Sequence, residues 1–390
     1  MHLNFGAFLA KIKRFEEALS AYRRVLDLDP QCAAAWSNLS VLHAQLGQLQ
    51  EAEQCCRRAL SIAPDYAKAH INLSYLCLRQ GHLDEGWRHY EFRTWQCTLG
   101  TELHCPRWAG EPLAGKRVLV GHEAGYGDVI QFCRFAAELK RMGASHVTLV
   151  CHPELQALLA TLEGVDEVLA GDAVDPAQRW DCWTPLMSLP LHCATRIDSI
   201  PAALPYLRAP AADAARWEAR LAADLPAHAL RVGLVWKGNP KFENDDERSL
   251  PSLATLAPLG DVDGVTFVSL QKGPGQDEAI ETGALARLAP WGGDLSSFAD
   301  TAGLVAHLDL IITVDTAVAH LAGALGKPCW ILLPHHMPDW RWFETRDDSP
   351  WYPGVVRLFR QSRRGDWPSV IEQVRAALER HAAAHGGAAP

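Results

Sequence analysis

Pro30 and Pro64 stand 34 residues apart. The same interval separates Ala18 from Ala52, Leu39 from Leu73, Ser40 from Ser74 and Gly47 from Gly81, and Ala52 to Gly86 repeats it once more. A period of this length marks a stack of helix pairs, each burying its apolar face only against its neighbours. Small residues at Ala18, Ala52 and Gly86 let paired helices approach, while Tyr22, Trp36 and Leu39 fill the seam. Pro30 and Pro64 end the second helix of a pair, since proline cannot continue a helix. Residues 1–95 are therefore expected to form an α-solenoid. About three repeats is near the minimum for such an array. The stack reads two ways: as a concave groove for a peptide, or as a short solenoid that only packs on its neighbour. The run "EGWRHYEFRTW", with Trp87, Tyr90, Phe92 and Trp95, reads as a docking surface for the next domain.

A chain of 390 residues allows two or three domains. With 37 Lys and Arg against 46 Asp and Glu, the net charge of −9 argues against sequence-independent nucleic-acid binding. No apolar run approaches the length of a membrane span. Met1 to Ala10 lacks a basic segment followed by an apolar core, so no secretory signal is expected. The 11 cysteines have no regular spacing and form no C-x-x-C. They read as reduced thiols of a cytoplasmic protein without a zinc site.

Residues 96–115, with Pro106 and Pro112, read as a connection. From Lys116 the pattern changes to alternating strands and helices, which implies parallel sheets. "KRVLVGH", "HVTLVC" and "VDEVLAG" are strands, with helices "VIQFCRFAAELKRMG" and "PELQALLATLEG" between them. Pro205 to Pro226 reads as a Pro- and Ala-rich linker. A second series follows: strands "RVGLVW", "VTFVSLQ", "DLIITV", "PCWILL" and "VVRLFRQ", and helices "SSFADTAGLVAHL", "DTAVAHLAGALG" and "DWPSVIEQVRAALERHAAA". The expected architecture is two Rossmann-like α/β domains, 116–225 and 226–390. Ligands bind such folds at the carboxyl ends of the strands.

Two segments carry chemistry. In "GYGDVIQF", Gly125 and Gly127 bracket a tight turn after the first strand, and Asp128 opens a helix. A capping carboxylate and a catalytic one both fit there. The dinucleotide fingerprint fails, because Ile130 holds the third glycine position. In "VDTAVAHLAGALGKP", a strand runs straight into a helix opening at Asp315 and Thr316, a ready phosphate site. His320 lies one turn on, on the face of Thr316. Small residues such as Ala317 and Gly323 allow close approach of a ligand or a strand.

Together these segments resemble the bacterial heptosyltransferase-like glycosyltransferase family. The resemblance extends through "VGLVWKG" and "DSPWYPGVVRLFRQ", and covers Lys116 to the final helix. The repeats in front resemble tetratricopeptide repeats, so the whole chain is similar to the bacterial tetratricopeptide-repeat glycosyltransferases. The resemblance implies the two-domain arrangement called GT-B and an inverting, metal-independent transfer from a nucleotide sugar, with no cofactor. The family's general base falls on Asp128. Its diphosphate-binding segment falls on Asp315, Thr316, Ala317 and His320. A phosphate-contacting basic residue falls on Lys237 in "VWKGNP" or Arg248 in "DDERSLP"; the heptosyltransferases proper carry lysine where Arg248 falls. Positive charge there would neutralise the departing nucleotide, the work a metal does elsewhere. "DVD" at Asp261 to Asp263 reads as a loop, not a metal-binding D-x-D.

The aromatic cluster "PDWRWFETRDDSPWYP" reads either as a sugar- or base-stacking loop through Trp340 and Trp342, or as a packed hinge. Gln271 ends a strand at the cleft mouth and is expected to touch the nucleotide. The leading expectation is a glycosyltransferase whose repeats recruit a protein acceptor. Flagellin or another surface protein is the acceptor implied by resemblance to repeat-bearing flagellin glycosyltransferases. A lipopolysaccharide-type acceptor comes next, and protein O-linked N-acetylglucosamine transferases share the architecture but not the signature segments. A non-catalytic repeat scaffold with a degenerate α/β part and a two-domain epimerase are the competing classes.

Overall fold

The computed structural model describes residues 2–94, 103–175, 178–281 and 283–386. The chain divides into two compact units. One comprises Met1–Trp95, Ala194–Ser199 and Asp339–Thr345; the other comprises Gln96–Cys193, Ile200–Pro338 and Arg346–Pro390.

The first unit holds three helix pairs: α1 (His2–Lys11) with α2 (Phe15–Leu28), α3 (Ala33–Gln45) with α4 (Leu49–Ile62), and α5 (Ala67–Gln80) with α6 (Leu83–Tyr90). Ala18 and Ala52 are fully buried where the paired helices touch, and a Cβ on Gly86 would lie 2.6 Å from Leu78. Leu39 and Leu42 of α3 are buried. Their equivalents one period earlier, Phe5 and Phe8, are 51% and 56% exposed, because among the described residues no helix precedes α1.

The unit is not continuous in sequence, unlike the expected 1–95 domain. Trp87, 1% exposed, donates its indole N–H to Thr195 O at 3.2 Å and meets Trp340 edge-on with centroids 5.4 Å apart. Arg79 pairs with Glu344. Gly81 closes α5 at φ +86°, and a Cβ there would lie 2.8 Å from Ile197. Glycine is required on both counts.

The second unit holds two parallel sheets. The first runs in the order β3-β2-β1-β4, from β1 (Arg117–Gly121), β2 (His146–Cys151), β3 (Glu167–Ala170) and β4 (Cys182–Pro185). The second runs β10-β9-β8-β5-β6-β7, from β5 (Leu230–Val235), β6 (Val265–Ser269), β7 (Leu288–Ala289), β8 (Leu310–Val314), β9 (Cys329–Leu333) and β10 (Val356–Arg360). Strand order reverses at β1/β4 and at β5/β8. These are the switch points beside which doubly wound sheets open a crevice.

The helices that matter below are α7 (Tyr126–Phe132), α8 (Ala136–Arg141), α9 (Ala211–Asp224), α10 (Phe298–Val305), α11 (Ala317–Ala324) and α12 (Trp367–Gly386). The helix expected over "VIQFCRFAAELKRMG" is interrupted by a 3₁₀ turn at Cys133–Phe135, giving α7 and α8.

Three expectations are corrected. The linker expected at Pro205–Pro226 contains α9, whose alanines are the strongest helix formers and whose Trp217 and Leu221 are buried one turn apart. The expected connection 96–115 lies partly outside the described residues. From there it runs beside β4: Trp108 donates to Trp183 O at 2.7 Å and Trp183 to Pro106 O at 3.0 Å. Strands β4 and β7 were not expected at all. The ten described cysteines are free thiols, and Cys97 lies outside the described residues. Among the described residues no helix is long and apolar enough to cross a membrane.

Replacing Trp87 by alanine should cost about 3–5 kcal/mol of repeat-unit stability, as for other buried tryptophans. Urea unfolding followed by far-ultraviolet circular dichroism would read this. A change within error would show that Thr195 and Trp340 do not hold the last repeat.

Candidate functional site

Both chemistry-bearing segments leave switch-point strands. After β1 the chain turns through Ala124, held at φ +64°, and enters α7. The expected glycine-bracketed turn is thus corrected: the left-handed residue is Ala124, Gly125 is extended at φ −88°, and Gly127 lies inside the helix. Asp128 is the third helical residue, and its Oδ2 accepts the Gly125 N–H at 2.9 Å. The carboxylate therefore caps the helix, in a half-buried position.

After β8 the chain enters α11 with Thr316 as N-cap at φ −140°, ψ 173°. The Thr316 side chain makes no capping hydrogen bond. Thr316 Oγ1 instead lies 3.2 Å from Thr313 Oγ1. Backbone amides and the positive dipole end at a helix N-terminus are groups that suit an anion. Asp315 and His320 are buried, at 8% and 5% exposure, and His320 Nδ1 bonds the Tyr352 hydroxyl at 2.8 Å.

The two helices pack together at their first turns. A Cβ on Gly127 would lie 2.9 Å from His320 Cδ2 and 3.4 Å from Ala317 Cα. Gly127 therefore lets the Asp128 turn and the α11 N-terminus share one place.

The remaining expected residues are placed differently. Gln271 is 2% exposed and its amide is spent on the backbone. Oε1 accepts from Trp236 N and Lys237 N, both at 2.9 Å; Nε2 donates to Lys237 O at 3.2 Å and Pro274 O at 2.8 Å. It braces the loop after β5 and is not presented to a ligand, which corrects the nucleotide contact. Lys237 Nζ donates to Pro251 O at 2.8 Å and lies 3.6 Å from Glu278. Arg248 pairs with Asp245 at 3.0 Å over the Phe242 ring. Trp340 and Trp342, 3% and 0% exposed, belong to the repeat unit, where Trp340 meets Trp87. Buried rings cannot stack on a sugar, so that expectation is corrected.

Sequence reasoning missed three features. His122 follows β1 and His152 follows β2, with ring centroids 4.5 Å apart, and His152 Nε2 meets Ala124 O at 3.1 Å. Tyr126, 36% exposed, approaches His152 at 4.9 Å and Phe298 of α10 at 5.1 Å. Arg134 is 3% exposed in the middle of the unit. Its only signal in the sequence is an arginine flanked by Phe132, Cys133 and Phe135. Among the described residues no group of three or more His, Cys, Asp or Glu side chains is placed to hold a metal ion.

Helix pairs that precede two parallel, doubly wound sheets in the chain define a repeat-bearing α/β protein. The comparisons agree with that class. The tetratricopeptide repeat profile matches residues 9–67, and that of glycosyltransferase family 9 (heptosyltransferase) matches residues 293–338, which include Asp315 to His320. Protein FlbA of Caulobacter vibrioides is 28% identical over 321 residues, 77% of this chain and 53% of that protein. The chain thus spans about half the length of the curated relative it matches. The crystal structure of a family 9 glycosyl transferase from Veillonella parvula superposes with a TM-score of 0.51 at 15% identity, covering 70% of this chain and 99% of that one. The likeness to tetratricopeptide repeats and to glycosyltransferase family 9 (heptosyltransferase) thus rests on these two matched stretches and on a shared fold.

Burial lowers the His122 pKa below the ordinary 6.5, and His152 adds to the shift. The unfolded chain then takes up this proton before the folded one does. Stability is whole above pH 6.5 and falls as pH drops toward the depressed folded value. His122→Gln should lessen the loss of Tm between about pH 7 and 5. Equal pH slopes in variant and wild type would show that His122 is not the group involved.

Proposed function

We propose that this chain is a metal-independent, inverting glycosyltransferase of the GT-B type. It would move a hexosyl- or heptosyl-type sugar from a nucleotide sugar to an acceptor recruited by the repeats. The observation that carries the reading is the contact of Gly127 with Ala317 and His320, which brings the turn bearing Asp128 against the first turn of α11.

The donor's diphosphate would bind the first turn of α11 through backbone N–H groups and Thr316. Asp128 would take the proton from the acceptor's hydroxyl or amide. The acceptor atom bonds to the sugar's anomeric carbon on the face opposite the leaving group. The bond from that carbon to the phosphate oxygen breaks, its electron pair leaves with the nucleoside diphosphate, and configuration inverts. Lys237, on the loop after β5, and Arg248, in the short helical turn Asp245–Arg248 that follows, are basic groups that would meet the departing charge. Both would have to exchange their present partners for it.

A polypeptide acceptor is supported by the repeats. Their groove of about 630 Å³ is lined by Arg57, Gly81, Leu83, Glu85, Arg88 and Ile197, among others. A surface protein such as flagellin is the acceptor class drawn from the resemblance to repeat-bearing flagellin glycosyltransferases.

The test uses ADP-, GDP-, UDP-, CMP- and dTDP-sugars with wild type and Asp128→Asn. Wild type should bind one nucleotide and release it from its sugar. The variant should keep the binding and lose about 10²–10⁴-fold in rate. Wild type that binds none of them would end the reading.

A further inference from the structure

We infer that Arg134 is a positioning residue of the proposed transfer site. Acting through Tyr352 and His320, it sets the gap between the Asp128 turn of α7 and the N-terminus of α11. The inference rests on the transfer reading above for its catalytic consequence, but its geometry stands apart from it.

Arg134 is a buried cation whose hydrogen-bond partners among the described residues include no carboxylate. Nε donates to Gln131 O at 2.8 Å, Nη1 to Pro201 O at 3.2 Å and Trp351 O at 2.6 Å, and Nη2 to the Tyr206 hydroxyl at 2.8 Å. Its guanidinium lies 4.3 Å from the Tyr206 ring centroid and 4.7 Å from that of Tyr352. Burying a charge is costly unless its donors are satisfied. Here carbonyls and two aromatic faces replace water, and they come from three separate stretches of chain.

The stretches around Tyr206 and Tyr352 bear on the two helices. The Tyr206 hydroxyl donates to Ile130 O in α7 at 3.0 Å, while Tyr206 N and Leu207 N donate to Ala324 O, at the end of α11, at 3.0 and 3.2 Å. The Tyr352 ring lies so close over α11 that a Cβ on Gly323 would meet it at 2.4 Å. Its hydroxyl bonds His320 Nδ1 at 2.8 Å. The opposite edge of that imidazole rests on Gly127, the residue before Asp128. A continuous line of packed groups thus runs from the guanidinium to the turn that bears the carboxylate. If Arg134 moves, Tyr352 loses one of the groups it packs on, and the displacement passes through His320 to the Asp128 turn.

The test uses the full chain with Arg134→Met, Arg134→Lys, Tyr352→Phe and Gly127→Ala. The first three loosen the line from behind; the last pushes it from the front. Two readouts are taken: nucleoside diphosphate affinity against turnover, and hydrogen exchange of peptides spanning 122–132 and 313–321.

Tyr352→Phe and Gly127→Ala should hold diphosphate affinity within about 2-fold while kcat falls about 10-fold or more, since a misplacement of about 1 Å costs on the order of 10²-fold. Exchange should rise in those two peptides and stay unchanged in the repeats. Arg134→Lys should recover part of what Arg134→Met loses. Affinity and turnover falling together, exchange rising throughout, or none of these moving would overturn the inference. If wild type binds no nucleoside diphosphate, the transfer reading fails, and the exchange pattern alone decides the inference. Should Arg134→Met not fold, Tyr352→Phe carries the test, because it removes one hydroxyl and leaves the packing.

Discussion

How near α7 can come to α11 is decided by a missing side chain. Any Cβ at Gly127 would press on the imidazole of His320 at 2.9 Å and on the backbone at Ala317. With hydrogen there, two helix N-termini from two different sheets meet at their first turns. Each brings a partial positive charge. On α7 that charge is answered from within, by Asp128 accepting the Gly125 amide. On α11 the N-cap Thr316 does not answer it with its side chain. The proposed transfer uses this asymmetry: one end supplies a fixed carboxylate, and the other would offer amides to the donor's diphosphate.

The contact is held from behind. A cation surrounded by carbonyl oxygens and tyrosine faces is an expensive way to fill an interior, since an apolar side chain would avoid desolvation altogether. What an apolar side chain could not do is bond Pro201, Trp351 and Tyr206 at once. The planar guanidinium has donors in several directions and so fixes the mutual orientation of segments that share no strand pairing.

The repeat period was readable because the same physical demand recurs at 34-residue intervals. Ala18, Ala52 and Gly86 all sit where two helices touch. The positions of Asp128 and Thr316 were readable because strand-to-helix turns at switch points fall close together in sequence. What failed was whatever depends on distant partners. Trp340 and Trp342 looked like a stacking loop, because exposed and buried tryptophans are spelled alike, and only Trp87 reveals their place. Gln271 looked free for a nucleotide, because its four backbone bonds lie on a loop 34 or more residues away or on its own turn. Helix α9 was hidden by flanking prolines, though its alanines announced it. Arg134 was missed because its partners lie 67, 72 and 217 residues downstream.

The ending of the repeat stack bears on how the chain is put together. A solenoid needs its last apolar face covered. Here α5 and α6 are covered by Thr195, Ile197, Trp340, Phe343 and Glu344 from two short stretches that lie between strands of the α/β part in sequence. A cut near residue 95 would therefore leave Trp87 without Trp340 and Arg79 without Glu344. It would also leave those two stretches without the helices they pack on. The first unit is thus built from three stretches of the chain. Its final helix pair is completed by the chain that follows β9, and that chain leads on to Trp351 and Tyr352, the residues that meet Arg134 and His320.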